Sequence, residues 1–193
     1  NDDYVNLVSL HEKDKWPRTG EIKESYIKNI MNIAVPQNFN DSEMSFVIDK
    51  LVLPHAKKIN PDLVIVQAGT DCLEDDPQSN MILSNFEYWH TISKLKDISL
   101  KTLILGGGGY NPYITAKAWA GNWLVLNSKE KLLETNLSEE CQNLLKSLFW
   151  KNSRVRNGIP NRWLDYWLDD KNSSMVRDEI KRLVDEVKRI KKL

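Results

Sequence analysis

Two polar side chains follow short apolar runs, in an arrangement that is typical of a site at the edge of a sheet. Asp71 follows the run 62–67 and three small residues, whereas Tyr110 follows the run 102–105 and four consecutive glycines. Open α/β sheets bind their ligands outside the carboxyl ends of the strands. A carboxylate held rigidly at such an edge can serve as a metal ligand. We therefore expect Asp71 and Tyr110 to lie on the same edge of one sheet.

The same two residues also have simpler interpretations. An acidic residue at the end of a strand is more often the cap of a turn or a helix than a metal ligand, so Asp71 could be only that. Tyr110 could be a ring that packs in a turn. The glycines favour a functional role, because glycine lets the backbone approach a ligand closely. The residue pattern alone leaves both alternatives open.

The glycine run Gly106–Gly109 could instead bind phosphate. However, the pattern lacks the third glycine of Gly-x-Gly-x-x-Gly in register, and Pro112 follows almost at once. No lysine followed by serine or threonine completes a P-loop. A nucleotide-binding domain is therefore the least favoured class of function.

Strands and helices alternate over the first part of the chain, and this alternation predicts a mainly parallel sheet with helices on both faces. The run from Tyr4 to Leu10 is mostly apolar, which predicts a central strand. After Asn127 the strand signals fade, and helices are predicted from Ser138 and from Ser173 or Ser174. We expect a first domain over 1–128 and a helical C-terminal extension packed on it over 129–193. The predicted strands are 4–10, 30–35, 63–67 and 100–105, and the predicted helices are 42–58, 84–96, 114–126, 138–150 and 173–190.

The composition disfavours two classes of partner. The 27 basic and 27 acidic residues of this 193-residue chain cancel, which argues against direct binding to nucleic acid or to an anionic membrane. No apolar run approaches the roughly 20 residues of a membrane span. Cys72 and Cys141 form no disulfide framework, so we expect a reduced, cytoplasmic setting.

Several stretches, taken in order, resemble the zinc-dependent histone deacetylase family and are closest to the bacterial acetoin-utilisation-type deacetylases. They extend over about residues 4–126, and the tail adds a less specific match at 159–163. The matching pieces are Val8-Ser-Leu-His11, Trp16-Pro-Arg-Thr-Gly20, Ile33-Ala-Val-Pro36, the segments 61–71 and 75–77, Leu105-Gly-Gly-Gly-Gly-Tyr-Asn111 and Ala116-Lys-Ala-Trp119.

The resemblance implies a three-layer α/β fold of the arginase and histone deacetylase type, partial, with a helical C-terminal tail. It covers only the C-terminal half of the family domain. The other half carries a His-His pair and a strand that ends in Asp-x-Asp-x-His-His-Gly, which supply the general base and two of the three zinc ligands. His11, His55 and His90 lie in other contexts, so the chain lacks those groups.

The resemblance also implies roles for individual residues. Asp71 would be a zinc ligand, and the hydroxyl of Tyr110 would stabilise the transition state of amide hydrolysis. Ser9 and Leu10 match a site for a monovalent cation such as potassium. The substrate-channel positions are Trp16, Gly108 and Gln78.

Two further features accompany these positions. Arg18 stands where the family usually has glycine, which implies strain if that position has a positive φ. The acidic cluster Glu74, Asp75 and Asp76 either attracts a cationic substrate or is a solvated loop.

Two functional hypotheses follow. The first is a zinc-dependent deacetylase that hydrolyses acetyl-lysine, an acetylated polyamine or a small acetylated amine. The second is a non-catalytic fragment or pseudo-enzyme that acts only by binding. In either case we expect the isolated chain to bind zinc weakly, to show little activity and to associate through an exposed sheet edge.

Overall fold

The computed structural model describes residues 4–193, and its first sheet is a parallel pair of strands. Residues 1–3 of the predicted first domain lie outside the described part of the chain. Strand β1 (Leu7–Glu12) pairs with β2 (Ile30–Val35), in a register that runs from Leu7 opposite Ile30 to Glu12 opposite Val35. The side chains of β2 are mostly buried, and this strand therefore lies against the core.

The first strand predicted from the sequence is confirmed over 7–10, but its predicted bounds and its burial were wrong. The strand begins at Leu7 rather than at Tyr4, because the pairing with β2 begins where Leu7 meets Ile30. It is also not central, since the side chains of Leu7 and Val8 are exposed. The apolar residues of 4–10 therefore did not indicate a buried strand within the described chain.

A second parallel pair lies further along the chain. Strand β3 (Val64–Gln67) pairs with β4 (Thr102–Leu105), and Val64 lies opposite Thr102. Within residues 4–193 the two pairs form separate sheets rather than the single predicted sheet. Alternation of strands and helices correctly predicts parallel direction. It cannot say which strands become hydrogen-bonded neighbours, because tertiary packing decides that.

Most of the α-helices begin after a residue whose side chain accepts a hydrogen bond from a backbone N–H of the first turn. Asn40, Ser84, Asn111 and Ser138 each act as such an N-cap. A π-helical segment (Ile48–Val52) joins the first two helices into the single run that the sequence predicts. The α-helices in the described chain are α1 (Asp41–Val47), α2 (Leu53–Ile59), α3 (Asn85–Lys96), α4 (Pro112–Leu126), α5 (Glu139–Lys146) and α6 (Asp178–Lys191).

The last helix begins later than the predicted Ser173 or Ser174, because the preceding segment is held against α1. The backbone N–H of Asn172 donates to Asp41 Oδ2 at 2.8 Å. The guanidinium of Arg177 donates to both carboxylate oxygens of Glu43, at 2.6 and 2.7 Å. These contacts hold residues 172–177 in place, and helix α6 starts only after them.

One face of the β3–β4 sheet packs on the core and the other is exposed. Val66 and Ile104 pack against the buried cluster. Ile65, Leu103 and Leu105 share the opposite face, with 57%, 48% and 44% of their surface exposed. Thus the buried core covers one face of this sheet within the described residues. No helix there is long and apolar enough to cross a membrane.

Candidate functional site

The loops after β3 and β4 leave the sheet at the same edge. This follows from the parallel register, and it was predicted from the sequence. Two backbone hydrogen bonds continue the pairing beyond the strands: Ala68 N–H donates to Leu105 O at 2.9 Å, and Thr70 N–H donates to Gly108 O at 2.6 Å. Asp71 and Tyr110 therefore stand on two loops that are joined directly to each other.

The carboxylate of Asp71 lies directly on the backbone of Gly108. A Cβ atom built on Gly108 would lie 2.6 Å from the carboxyl carbon of Asp71 and 3.0 Å from its Oδ1. A Cβ atom on Gly107 would lie 2.7 Å from the Cα of Gly69. A side chain at Gly107 would push the two loops apart, whereas a side chain at Gly108 would displace the Asp71 carboxylate.

The environment of Asp71 opposes its ionisation. Burial raises the pKa of this carboxyl, the charge of Asp76 adds to the rise, and the backbone N–H of Asp71 itself opposes it. A bound cation would favour the ionised form. Between residues 4 and 193, however, no group of three His, Cys, Asp or Glu side chains is placed to hold a metal ion. The residues present therefore do not make a complete zinc site, since such a site needs three protein ligands.

The backbone of Tyr110 is fixed, whereas its side chain is exposed. Its N–H donates to Asp76 Oδ2 at 2.7 Å, and 52% of the residue's surface is exposed. The next residue, Asn111, is fully buried, accepts from Tyr113 N–H at the start of α4 and donates to Asp75 O at 3.3 Å. The phenol thus projects from an anchored segment and is open to a ligand.

Two predicted channel residues lie on the surface of the described chain. Trp16 is 91% exposed, and Gln78 is also exposed. Their roles, like that of Gly108, stay predictions. Arg18 has φ +62°, in the left-handed region that favours glycine. This loop therefore carries a strain of about 1–2 kcal/mol that glycine would avoid.

The predicted cation-site residues are half-buried in β1. Ser9 Oγ lies 2.9 Å from His11 Nδ1 and shares a hydrogen bond with it, and the His11 ring packs on Gly20. Burial lowers the pKa of His11, which favours the neutral ring. The role of Ser9 and of the Leu10 carbonyl in binding a cation stays a prediction.

The acidic cluster at 74–76 is only in part a solvated loop, because Glu74 is exposed whereas Asp75 and Asp76 have partners within the fold. Asp76 is 1% exposed, and both of its carboxylate oxygens accept backbone hydrogen bonds. The carboxylate of Asp75 accepts from Arg162 and, at 3.0 Å, from Trp163 Nε1. Sequence reasoning missed both arrangements, because their partners lie up to 88 residues away along the chain and leave no local signal.

Comparison with known proteins shows the family. Residues 1–126 match the histone deacetylase domain, and the chain therefore belongs to the histone deacetylase family. It is 25% identical to histone deacetylase 14, chloroplastic, of Arabidopsis thaliana, over 66% of this chain and 32% of that protein. It is also 25% identical to histone deacetylase clr6 of Schizosaccharomyces pombe, over 91% of this chain and 44% of that protein.

Solved structures show the same fold. The histone deacetylase homologue from Aquifex aeolicus superposes with a TM-score of 0.87 at 28% identity, over 96% of this chain and 51% of that chain. A homologue complexed with SAHA gives a TM-score of 0.87 at 27% identity, over 97% of this chain and 52% of that chain. The arginase and histone deacetylase fold predicted from the sequence is confirmed. The chain spans about half the length of these solved relatives.

Proposed function

We propose that this chain supplies one half of a deacetylase site that hydrolyses acetyl-lysine, an acetylated polyamine or a small acetylated amine, in the manner of the acetoin-utilisation-type enzymes. The observation that carries the proposal is the contact of the Asp71 carboxylate with Gly108, two residues before Tyr110, at one sheet edge. Membership of the family and the similar structure in complex with SAHA support the same substrate class.

The proposed chemistry assigns Tyr110 a single task. Water adds to the carbonyl carbon of the acetamide while a general base of the complementary half takes one of its protons, and the carbonyl oxygen becomes an oxyanion. That proton then passes to the nitrogen as the C–N bond breaks to give acetate and the amine. The Tyr110 hydroxyl donates a hydrogen bond to that oxyanion. A donor aimed at charge that appears only in the transition state raises kcat more than it strengthens substrate binding.

Asp71 is the one member of a zinc site that we assign to this chain. The resemblance assigns the other two ligands and the general base to the half of the family domain that this chain does not match. This fits the lack of any group of three His, Cys, Asp or Glu side chains placed to hold a metal ion between residues 4 and 193. We therefore expect the isolated chain to bind zinc weakly and to show little turnover. If no complementary half exists, the function that remains is binding alone.

The decisive experiment is complementation. The chain is mixed or co-expressed with the half of the Aquifex aeolicus homologue that has no counterpart here, and turnover of an acetyl-lysine peptide is measured with and without a chelator. We expect chelator-sensitive activity only in the mixture. In that mixture, Tyr110→Phe should lower kcat roughly 10²–10³-fold and keep zinc. Asp71→Ala should instead lower the zinc content.

Two results would contradict these assignments. Robust activity of the isolated chain would show that it already holds a complete site. Failure of an assembled, zinc-containing complex to turn over the peptide would favour the binding-only alternative. An acetylated polyamine assayed in parallel distinguishes the substrate classes.

The exposed sheet face gives a related expectation about assembly. Ile65, Leu103 and Leu105 form an uncovered apolar face, and two-stranded sheets leave unpaired edges. We expect the isolated chain to self-associate and the complementary half to suppress this. Sedimentation velocity of the chain alone and of the mixture tests the point, and a monodisperse monomer would contradict it.

The remaining assignments are also proposals. We propose a first unit over 1–128 and a helical extension over 129–193, supported by the stacking of Tyr113 on Trp163 at 5.5 Å between ring centres. A cytoplasmic setting is supported by the free thiols of Cys72 and Cys141. Potassium binding at Ser9 and Leu10 rests on the sequence resemblance.

A further inference from the structure

The buried carboxylate of Asp76 holds two backbone groups at once. Its Oδ2 accepts from Tyr110 N–H at 2.7 Å, and its Oδ1 accepts from Gln78 N–H at 2.8 Å. Hydrogen bonds to an ionised acceptor are shorter and about twice as strong as neutral ones. Asp76 is 1% exposed, so water does not compete for these bonds. A bond therefore runs from the loop after β3 to the backbone of Tyr110.

The segment before Tyr110 is held through Gly108, whose carbonyl oxygen accepts from Thr70 N–H at 2.6 Å, but it has no side chains of its own to anchor it. The four residues that precede it are glycines, which contribute no side-chain contacts. Gly109 adopts φ +153°, and a Cβ atom there would overlap the hydroxyl of Thr70. Such a segment has high conformational freedom unless it is anchored from outside. The Asp76 carboxylate is positioned to provide that anchor at the residue that carries the phenol.

Asp76 is itself held by the C-terminal part of the chain. Its backbone oxygen accepts from Arg154 Nη2 at 3.0 Å. The carboxylate of the neighbouring Asp75 binds Arg162 and Trp163, and Trp163 is almost completely buried. Asp76 therefore links the C-terminal tail to the backbone of Tyr110.

We propose that Asp76 is a positioning residue, which fixes the backbone of Tyr110 and thereby the place of its phenol at the sheet edge. The inference rests on the function proposed above for Tyr110. It adds that the position of the Tyr110 phenol depends on the Asp76 carboxylate, which lies on the loop after β3. Through Arg154 it also depends on the C-terminal tail. Asp76 does not touch the substrate in this scheme.

The test measures the position of Tyr110 without any turnover. Amide hydrogen exchange of the whole chain is followed by NMR, and 3-fluorotyrosine incorporation gives a fluorine signal for each of the six tyrosines. Asp76→Asn is compared with Glu74→Gln, which removes the same charge from a neighbouring exposed position. Asparagine offers only one acceptor oxygen, and its NH₂ group would face the second backbone N–H.

We expect the Tyr110 amide to exchange at least about tenfold faster in Asp76→Asn, because a hydrogen bond to a charged acceptor is lost. The fluorine signal of Tyr110 should shift or narrow, while those of the other tyrosines and the exchange of the Ala68 amide stay unchanged. Glu74→Gln should alter none of these. A purely structural role would instead change all tyrosine signals together and accelerate exchange throughout.

Two results would overturn the proposal. One is an unprotected Tyr110 amide in the wild-type chain, which remains informative even if Asp76→Asn does not fold. The other is an Asp76→Asn variant that folds and leaves both Tyr110 signals unchanged. Because neither measurement uses deacetylation, an inactive complex would refute the proposed function and leave this test intact.

Discussion

Replacement of Gly108 by alanine tests whether the Asp71 carboxylate lies where the structure places it. The new methyl carbon would lie 2.6 Å from the carboxyl carbon of Asp71, about 1 Å closer than carbon atoms pack at optimal separation. Asp71 must leave its position, because the Gly108 backbone is hydrogen-bonded to Thr70. Overpacking of this kind costs about 1–3 kcal/mol of the free energy of unfolding.

A double-mutant cycle measures this contact directly. Urea unfolding is followed for the wild type, Gly108→Ala, Asp71→Ala and the double variant, with the slope m compared to check that the transition is unchanged. Gly108→Ala should cost about 1–3 kcal/mol alone and much less in the Asp71→Ala background. Gly107→Ala is the matched control, because its methyl group meets the backbone of Gly69, which the loss of Asp71 cannot relieve.

The cycle can fail in a clear way. If Gly108→Ala costs the same in both backgrounds, the carboxylate does not lie on Gly108. The shared edge of Asp71 and Tyr110 would then lose the contact on which the proposed function depends. If Gly107→Ala were rescued by Asp71→Ala, the two loops would not approach backbone to backbone.

Two further predictions concern the last helix. Arg177→Ala should lower the free energy of unfolding by about 2–3 kcal/mol, because it removes the charged partner of the fully buried Glu43 carboxylate. The value stays low because the arginine is part-exposed and the backbone N–H groups of Asn40 and Arg177 still donate to Glu43. Arg177→Lys should recover part of the loss. Urea unfolding of the two variants checks this, and equal losses would contradict the paired geometry. Burial lowers the pKa of His55, and the charges of Lys191 and Lys58 lower it further. His55 therefore binds a proton more readily in the unfolded chain than in the folded chain. The stability that the neutral, folded His55 contributes is present above about pH 6.5 and is lost as the pH falls below that value. Thermal melts should show a smaller fall in Tm between about pH 7.5 and 5.5 for His55→Gln than for the wild type, and identical falls would refute the assignment.

Much of the architecture could be predicted from local patterns. Apolar runs predicted β2, β3 and β4, and capping residues such as Ser84 predicted where helices begin, because both signals are contained within a few residues. Ordered motifs predicted the family and the fold, which the comparisons confirm. The parallel direction of β3 and β4, which brings the loops of Asp71 and Tyr110 to one edge, also follows from the sequence.

Other features were decided only by tertiary structure. The sequence does not show that the strands form two separate pairs. It also does not show that α6 begins only after Arg177, which binds Glu43. Both features depend on groups far apart along the chain. It gives no sign that Asp76 binds the backbone of Tyr110, or that Asp75 is paired with Arg162 and Trp163. A buried carboxylate and a solvated one are identical letters in a sequence. Only the fold decides which of them gains partners, because burial removes water and makes each unpaired oxygen costly.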